Sequence, residues 1–212
     1  MEEILIRDEL LHNIFAVEFE AATSLHLMPE MALRAKVEFA FLQLRMICEL
    51  IALACLTAHG EVLGAAQLRG SYDADEIIKS LEGLHPDFYP KPSKQAPKKD
   101  ASGVWRNTPI TSGFLTKAEL LELYGRCANY LHRGSLKKIQ ANKSPRFDPW
   151  DPKGWADKAW TLLQHHEIQT IHPDVRLVVP MKTRQTSRPQ FCYSTLGADG
   201  IWRIDADGIS QA

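Results

Sequence analysis

What this 212-residue chain lacks narrows it first. It has no excess of charge: 25 Lys and Arg against 26 Asp and Glu leave a net charge of -1, so nothing global draws it to nucleic acid or to an anionic membrane surface. It has only four cysteines, Cys48, Cys55, Cys127 and Cys192, with no paired spacing for a disulfide framework or a metal site. Two lie in apolar helical sequence and read as small buried hydrophobes of a reducing compartment, which favours the cytoplasm. A Gly-rich phosphate loop, a Walker motif, a nucleophile elbow and zinc-finger spacing are all missing, which removes the familiar ATPase and hydrolase signatures. Nor is there a long apolar run free of polar groups. The most apolar stretch, 39–58, holds Gln43, Arg45 and Glu49, and an ionised group at bilayer depth costs roughly 2.5–3.5 kcal/mol. It reads as a core helix, with no membrane contact. The N-terminal Met-Glu-Glu-Ile-Leu-Ile-Arg-Asp-Glu has the wrong charge and too short an apolar run for a secretory signal.

What is present is mostly helical periodicity. Residues 3–24 carry Leu10, Ile14, Val17 and Ala21 at helical spacing, and a second helix is expected from Pro29 to Gly60, with no breaker between them. A third helical stretch lies between Gly60 and Gly83. From His85 to Pro109 five prolines and four lysines stand among few apolar residues, the composition of a flexible loop. A helix over 116–133 has marked ends: Thr116 and Glu119 form a capping box, Leu115 and Leu120 a hydrophobic staple, and Gly134 suits the left-handed closing residue. Another helix is expected over 151–171. Beyond Pro173, Val175 to Met181, Phe191 to Thr195 and Ile201 to Ile204 predict a small antiparallel meander. His165, His166 and His172 match no metal-ligand spacing, so neither metal nor cofactor is expected.

Charge is uneven. Residues 126–146 contain six basic side chains and no acid, whereas 1–50 hold nine acids against four bases, and a local basic patch can bind phosphate in a neutral chain. On a wheel of 100° per residue, Leu120, Tyr124, Cys127 and Leu131 form the apolar stripe of helix 116–133. Arg126, Asn129, His132 and Arg133 fall on the opposite side, Arg126 and His132 about 120° apart. Each also has an ordinary structural role: Glu122 and Arg126 are an i,i+4 pair, and His132 and Arg133 complement the helix dipole.

The string Leu123-Tyr124-Gly125-Arg126-Cys127-Ala128-Asn129-Tyr130-Leu131-His132, ending just before Gly134, resembles the Arg-x(4–6)-His signature of the HEPN superfamily. These are all-helical proteins that include many metal-independent ribonucleases and many members with no known activity. The resemblance covers roughly 30–171, is specific only around 116–134, and departs from the common form where Cys127 replaces a polar residue. It implies a mainly α fold, a four- or five-helix bundle over 1–172, followed by a small β appendage over 173–212. It also implies a cytoplasmic homodimer whose two helices meet at a cleft. There His132 would act as general acid or base and Arg126 would stabilise the phosphorane, cleaving RNA through the ribose 2′-hydroxyl to leave 2′,3′-cyclic phosphate ends. Asn129, Tyr130 and Glu49 would support that pair, and Arg133, Lys137, Lys138, Lys143 and Arg146 would track the RNA backbone. Such an enzyme would be a toxin or defence effector, with an antitoxin protein as its partner. The alternative implied is a non-catalytic interaction or regulatory protein using the same face.

Overall fold

A computed structural model describes residues 29–59, 70–71, 73–96, 101, 106–131, 148, 150–181 and 191–204. The helix expected over 3–24 and the close at Gly134 lie outside the described residues. Four described helices follow one another: α1 (Pro29–Ala58), α2 (Ala74–Leu84), α3 (Lys117–Leu131) and α4 (Asp151–Leu163). Six strands accompany them: β1 (Lys91–Gln95), β2 (Asn107–Pro109), β3 (His165–Gln169), β4 (Val175–Pro180), β5 (Cys192–Leu196) and β6 (Trp202–Ile204).

α1 is the spine of the helical layer. Phe41, Leu44, Cys48, Ile51, Ala52 and Cys55 recur at three- and four-residue steps and are at most 1% exposed, so one face of the helix is continuous core. Against it pack α2, α3 and α4. α2 starts where the Asp73 carboxylate accepts from the Asp75 and Glu76 amides, satisfying two donors that a helix start leaves open. Its buried side is Ala74, Ile77, Ile78 and Leu81. α3 opens with the expected capping box: Thr116 N–H donates to Glu119 Oε2 at 3.0 Å and Glu119 N–H to Thr116 Oγ1 at 3.3 Å. Leu115 and Leu120, the staple pair, are both fully buried.

Glu119 does more than cap. Its other oxygen accepts from Lys158 of α4 at 2.5 Å, and that bond, followed by those from Thr116, lowers the carboxyl pKa. A depressed carboxylate pKa stabilises the fold above the unfolded range near 4.3, and that contribution is lost as pH falls through the folded value. Glu119→Ala is expected to cost about 1–2 kcal/mol in urea denaturation at pH 7. The gap from the wild type should narrow below about pH 4.

The strands overturn the mainly α expectation. They form one six-stranded antiparallel sheet in the order β2-β1-β3-β4-β5-β6, curved into a half-barrel. The chain is therefore an α+β protein rather than a helical bundle carrying a minor appendage. The three C-terminal segments do form consecutive strands, but they are only half of the sheet. β1 and β2 come from the stretch read as a flexible loop, and β3 from the stretch read as helix. The reasons are local. β1 is Lys-Pro-Ser-Lys-Gln, with a proline and no apolar alternation, and such a segment argues against a strand until its neighbours pair with it. Its first residues pair with β3 (Lys91 with Glu167, Pro92 with His166) and its last with β2 (Ser93 with Pro109, Gln95 with Asn107). β3 follows α4 after the single residue Gln164, and five register pairs with β4 hold it extended. That ladder overrides a weak helical propensity.

One face of the sheet meets the helices, with α4 lying against β1 and β3. His166 and Ile168 of β3 are buried, whereas His165, Glu167 and Gln169 alternate with them on the other face. A second tie joins the layers at the far end of α1. The ring of His59, 1% exposed, sits with Nδ1 2.8 Å from Cys55 O and Nε2 2.9 Å from Gln169 O.

Candidate functional site

The face of α3 expected to carry chemistry is built differently from that expectation. Arg126 does not pair with Glu122. Its Nε and Nη2 both donate to Asp151 Oδ2, at 2.8 and 2.6 Å, while Asp151 Oδ1 accepts from Trp155 Nε1 at 3.1 Å. Desolvation pulls the Arg126 pKa down, but the bonds and charge of Asp151 outweigh it and the net direction is upward. The fork that would cradle a phosphate is thus occupied in tying α3 to α4. Asn129, exposed on the same side, donates to Gly125 O at 3.2 Å, one turn back. Tyr130 lies flat on Phe41, with ring centroids 3.9 Å apart and planes within 11°.

Glu49 supports a different group from the one expected. Its Oε1 accepts from Arg45 Nε at 3.0 Å and from the Tyr124 hydroxyl at 3.3 Å, and Arg45 Nη2 donates to that hydroxyl at 2.8 Å. Arg45 also lies over the Tyr124 ring, 4.5 Å from its centroid. The cation, the carboxylate and the phenol satisfy one another at the α1–α3 seam, so this polar strip is an internal tie. His132, Arg133, Lys137, Lys138, Lys143 and Arg146 lie outside the described residues. Cys127, on the inward side, is fully buried, and burial pushes its thiol up to about 12, so it has no thiolate to offer at neutral pH.

Polar groups converge instead on the concave face of the sheet, which encloses a cavity of about 360 Å³, at the small end of ligand pockets. Antiparallel register builds it. One row across the sheet runs Lys91, Glu167, Val178, and the next runs Gln169, Arg176, Ser194. Because alternate residues of each strand point the same way, both rows line the cavity. Glu167 is its electrostatic centre. Oε1 accepts from Asn107 Nδ2 at 2.9 Å and from Ser93 Oγ at 3.1 Å, while Oε2 lies 3.4 Å from Arg176 Nη1. Arg176 Nε donates to Gln169 Oε1 at 2.9 Å, and its guanidinium lies over the Trp202 ring, 3.9 Å from the centroid, a cation–π arrangement.

His165 flanks this network, with Nδ1 2.9 Å from Ser93 Oγ. Burial lowers its pKa, against the pull of Glu167, which keeps the ring neutral. The order is carboxylate, hydroxyl, imidazole, with the serine in the middle. A nucleophilic triad needs the imidazole between hydroxyl and acid, and Ser93 is only 4% exposed, so the cluster is a positioning network rather than an activated nucleophile. Among the described residues no three His, Cys, Asp or Glu side chains gather as a metal site.

One atom in the cavity wall is out of balance. Asn107 Oδ1 is fully buried and, among the described residues, meets no donor. The amide orientation is fixed by its neighbour, since Nδ2 must face the Glu167 carboxylate. Buried acceptors are nearly always paired within a protein, and this one has no surface open to the cavity.

No family model, curated protein or solved structure matches this chain, so the geometry alone carries the functional argument. Sequence reasoning missed the cavity because its residues come from all six strands, two of them hidden in a Pro- and Lys-rich segment. The available signal was the period of two in His165-His166-Glu167-Ile168-Gln169, which alternates polar with buried positions.

Proposed function

We propose that this chain is a binding protein whose site is the concave polar face of the sheet, and that the outward face of α3 is framework rather than a reaction centre. The observation that carries this reading is the cavity of about 360 Å³ itself, on which all six strands converge and in whose wall Glu167 fixes Asn107, Ser93 and Arg176. A preformed cavity with few, well-oriented polar groups is how proteins bind small ligands. The test is a thermal-shift screen of small polar metabolites on the wild type and on Ser194→Leu, which fills the cavity floor. A ligand at a hundredfold excess over its Kd stabilises the folded state by about 2.7 kcal/mol. Stabilisation of the wild type that disappears in Ser194→Leu is expected. Ligands that stabilise both proteins equally, or a screen that stabilises neither, would refute the reading.

A second reading keeps RNA cleavage on α3. It is favoured by Arg126 retaining 40% of its side chain in solvent, with Asn129 exposed one turn along. In that scheme Arg126 leaves Asp151 to meet a phosphate, and His132 moves the proton at a homodimer cleft. Labelled RNA incubated with the protein in chelator is expected to yield 2′,3′-cyclic phosphate ends, which Arg126→Ala and His132→Ala each abolish. Intact RNA, or cleavage that survives both substitutions, removes this reading.

A further inference from the structure

We infer that the outer face of α1 is a docking surface for this chain's own residues 3–24, folded back along it as an antiparallel helix. α1 is apolar on two sides. Phe41, Leu44, Cys48 and Ile51 face the core, where the other helices pack. On a wheel of 100° per residue Ala35, Phe39, Leu42, Met46 and Leu50 fall on the opposite side, within about 80° of one another. Phe39, Leu42 and Met46 keep 40%, 41% and 36% of their surface in solvent, and Leu50 is half-buried. A helix apolar on both sides calls for cover on both sides, and a contiguous exposed apolar stripe marks a contact surface.

Sequence identifies the occupant. The outer stripe Ala35, Phe39, Leu42, Met46, Leu50 advances by four, three, four and four residues. Read backwards, the apolar positions Ala21, Val17, Ile14, Leu10 and Ile6 recede by the same four steps. Laid antiparallel, the two sets therefore meet position by position in one constant register, the condition for a continuous seam between packed helices. That register turns the chain at Met28, and α1 begins at the next residue, Pro29. A residue before proline is disfavoured in the helical region, so the sequence breaks where the fold-back requires a break. A helix over 3–24 is about 33 Å long and the stripe from Ala35 to Leu50 about 23 Å, so the segment spans it with length to spare. Residues 25–28 are a connection of ordinary length between antiparallel helices. Across so short a tether the effective concentration is on the order of millimolar, which puts the segment ahead of a second copy. A bilayer fits less well: Ala35–Ala58 is long and apolar enough to cross one, but half of it is buried inside the protein.

Hydrogen–deuterium exchange of the full chain reads the docking directly. The amides of residues 3–24 are expected to exchange about tenfold or more slowly than the unstructured rate, equally at about 1 and about 100 µM protein. Leu42→Glu and Ile14→Glu, one on each surface, should each return them to that rate. The docked segment is a local unit that opens before the core unfolds, so both variants leave the core's own unfolding midpoint in place. Register is read by disulfide trapping in a Cys192→Ser background, the other three cysteines being buried. Ile14→Cys with Leu42→Cys should close within one chain, whereas Ile14→Cys with Thr57→Cys, about 22 Å away along the helix, should not. Exchange at the unstructured rate in the wild type overturns the inference, as does protection that survives both glutamate variants or equal closure of the two cysteine pairs. Protection lost on dilution, with the cysteines linking two chains, overturns it in favour of a second copy. Protection gained only on phosphatidylglycerol vesicles overturns it in favour of a lipid surface.

Discussion

Phe41→Ala is expected to destabilise the protein by about 3–5 kcal/mol, the range for truncating a fully buried aromatic, and to lower Tm by roughly 10 °C or more for a chain of this size. Phe41 has no exposed surface and its ring lies flat on Tyr130 of α3. Alanine there removes the burial and the stacking together and leaves a cavity at the α1–α3 contact. Phe39, two residues earlier on the same helix, is 40% exposed, and Phe39→Ala should cost less than 1 kcal/mol. Chemical denaturation of the pair checks which side of α1 faces the core. Comparable losses from both substitutions would show that the helix is rotated from the arrangement described.

Glu167→Ala carries the other large effect, because one carboxylate answers three donors. Its removal strands Asn107 Nδ2 and takes one partner each from Ser93 Oγ, which keeps His165, and from the Arg176 guanidinium, which keeps Gln169, and an unpaired buried donor costs about 1–3 kcal/mol. Part of the Arg176 charge is recovered by solvent, since a third of its side chain is exposed. The expected loss is about 2–4 kcal/mol, with ligand binding at the cavity abolished. Adding Arg176→Leu to Glu167→Ala should recover part of the stability by removing the uncompensated cation, and should recover none of the binding. Urea denaturation and titration of the double variant separate the two effects; full additivity in stability would mean that these groups do not interact.

The helices were legible because each rule that writes them is local. The capping pair Thr116 and Glu119 and the stripe Leu120, Tyr124, Cys127 lie within one turn or a few turns, and the structure has them as capped and buried. The sheet was half legible. Val175 to Pro180 is rich in β-branched residues, whereas Lys91 to Gln95 is recognisable as a strand only through its partners, 12 to 76 residues away in sequence. Charge pairing was the least legible. Arg126 has an acidic neighbour one turn back in Glu122, yet it takes Asp151 from another helix. Glu49, expected to assist Arg126, serves Arg45 and Tyr124 instead. Pairings of this kind are decided by which elements dock, and periodicity is silent on that.

Gln164 is the whole connection between α4 and β3: its amide still closes the helix on Trp160 O while its carbonyl already accepts from Met181. One residue spans less than 4 Å, so the joint has no slack to absorb a shift. The strand bearing Glu167 and the helix bearing Asp151 therefore travel as a single lever, and tension applied at one end is delivered to the other.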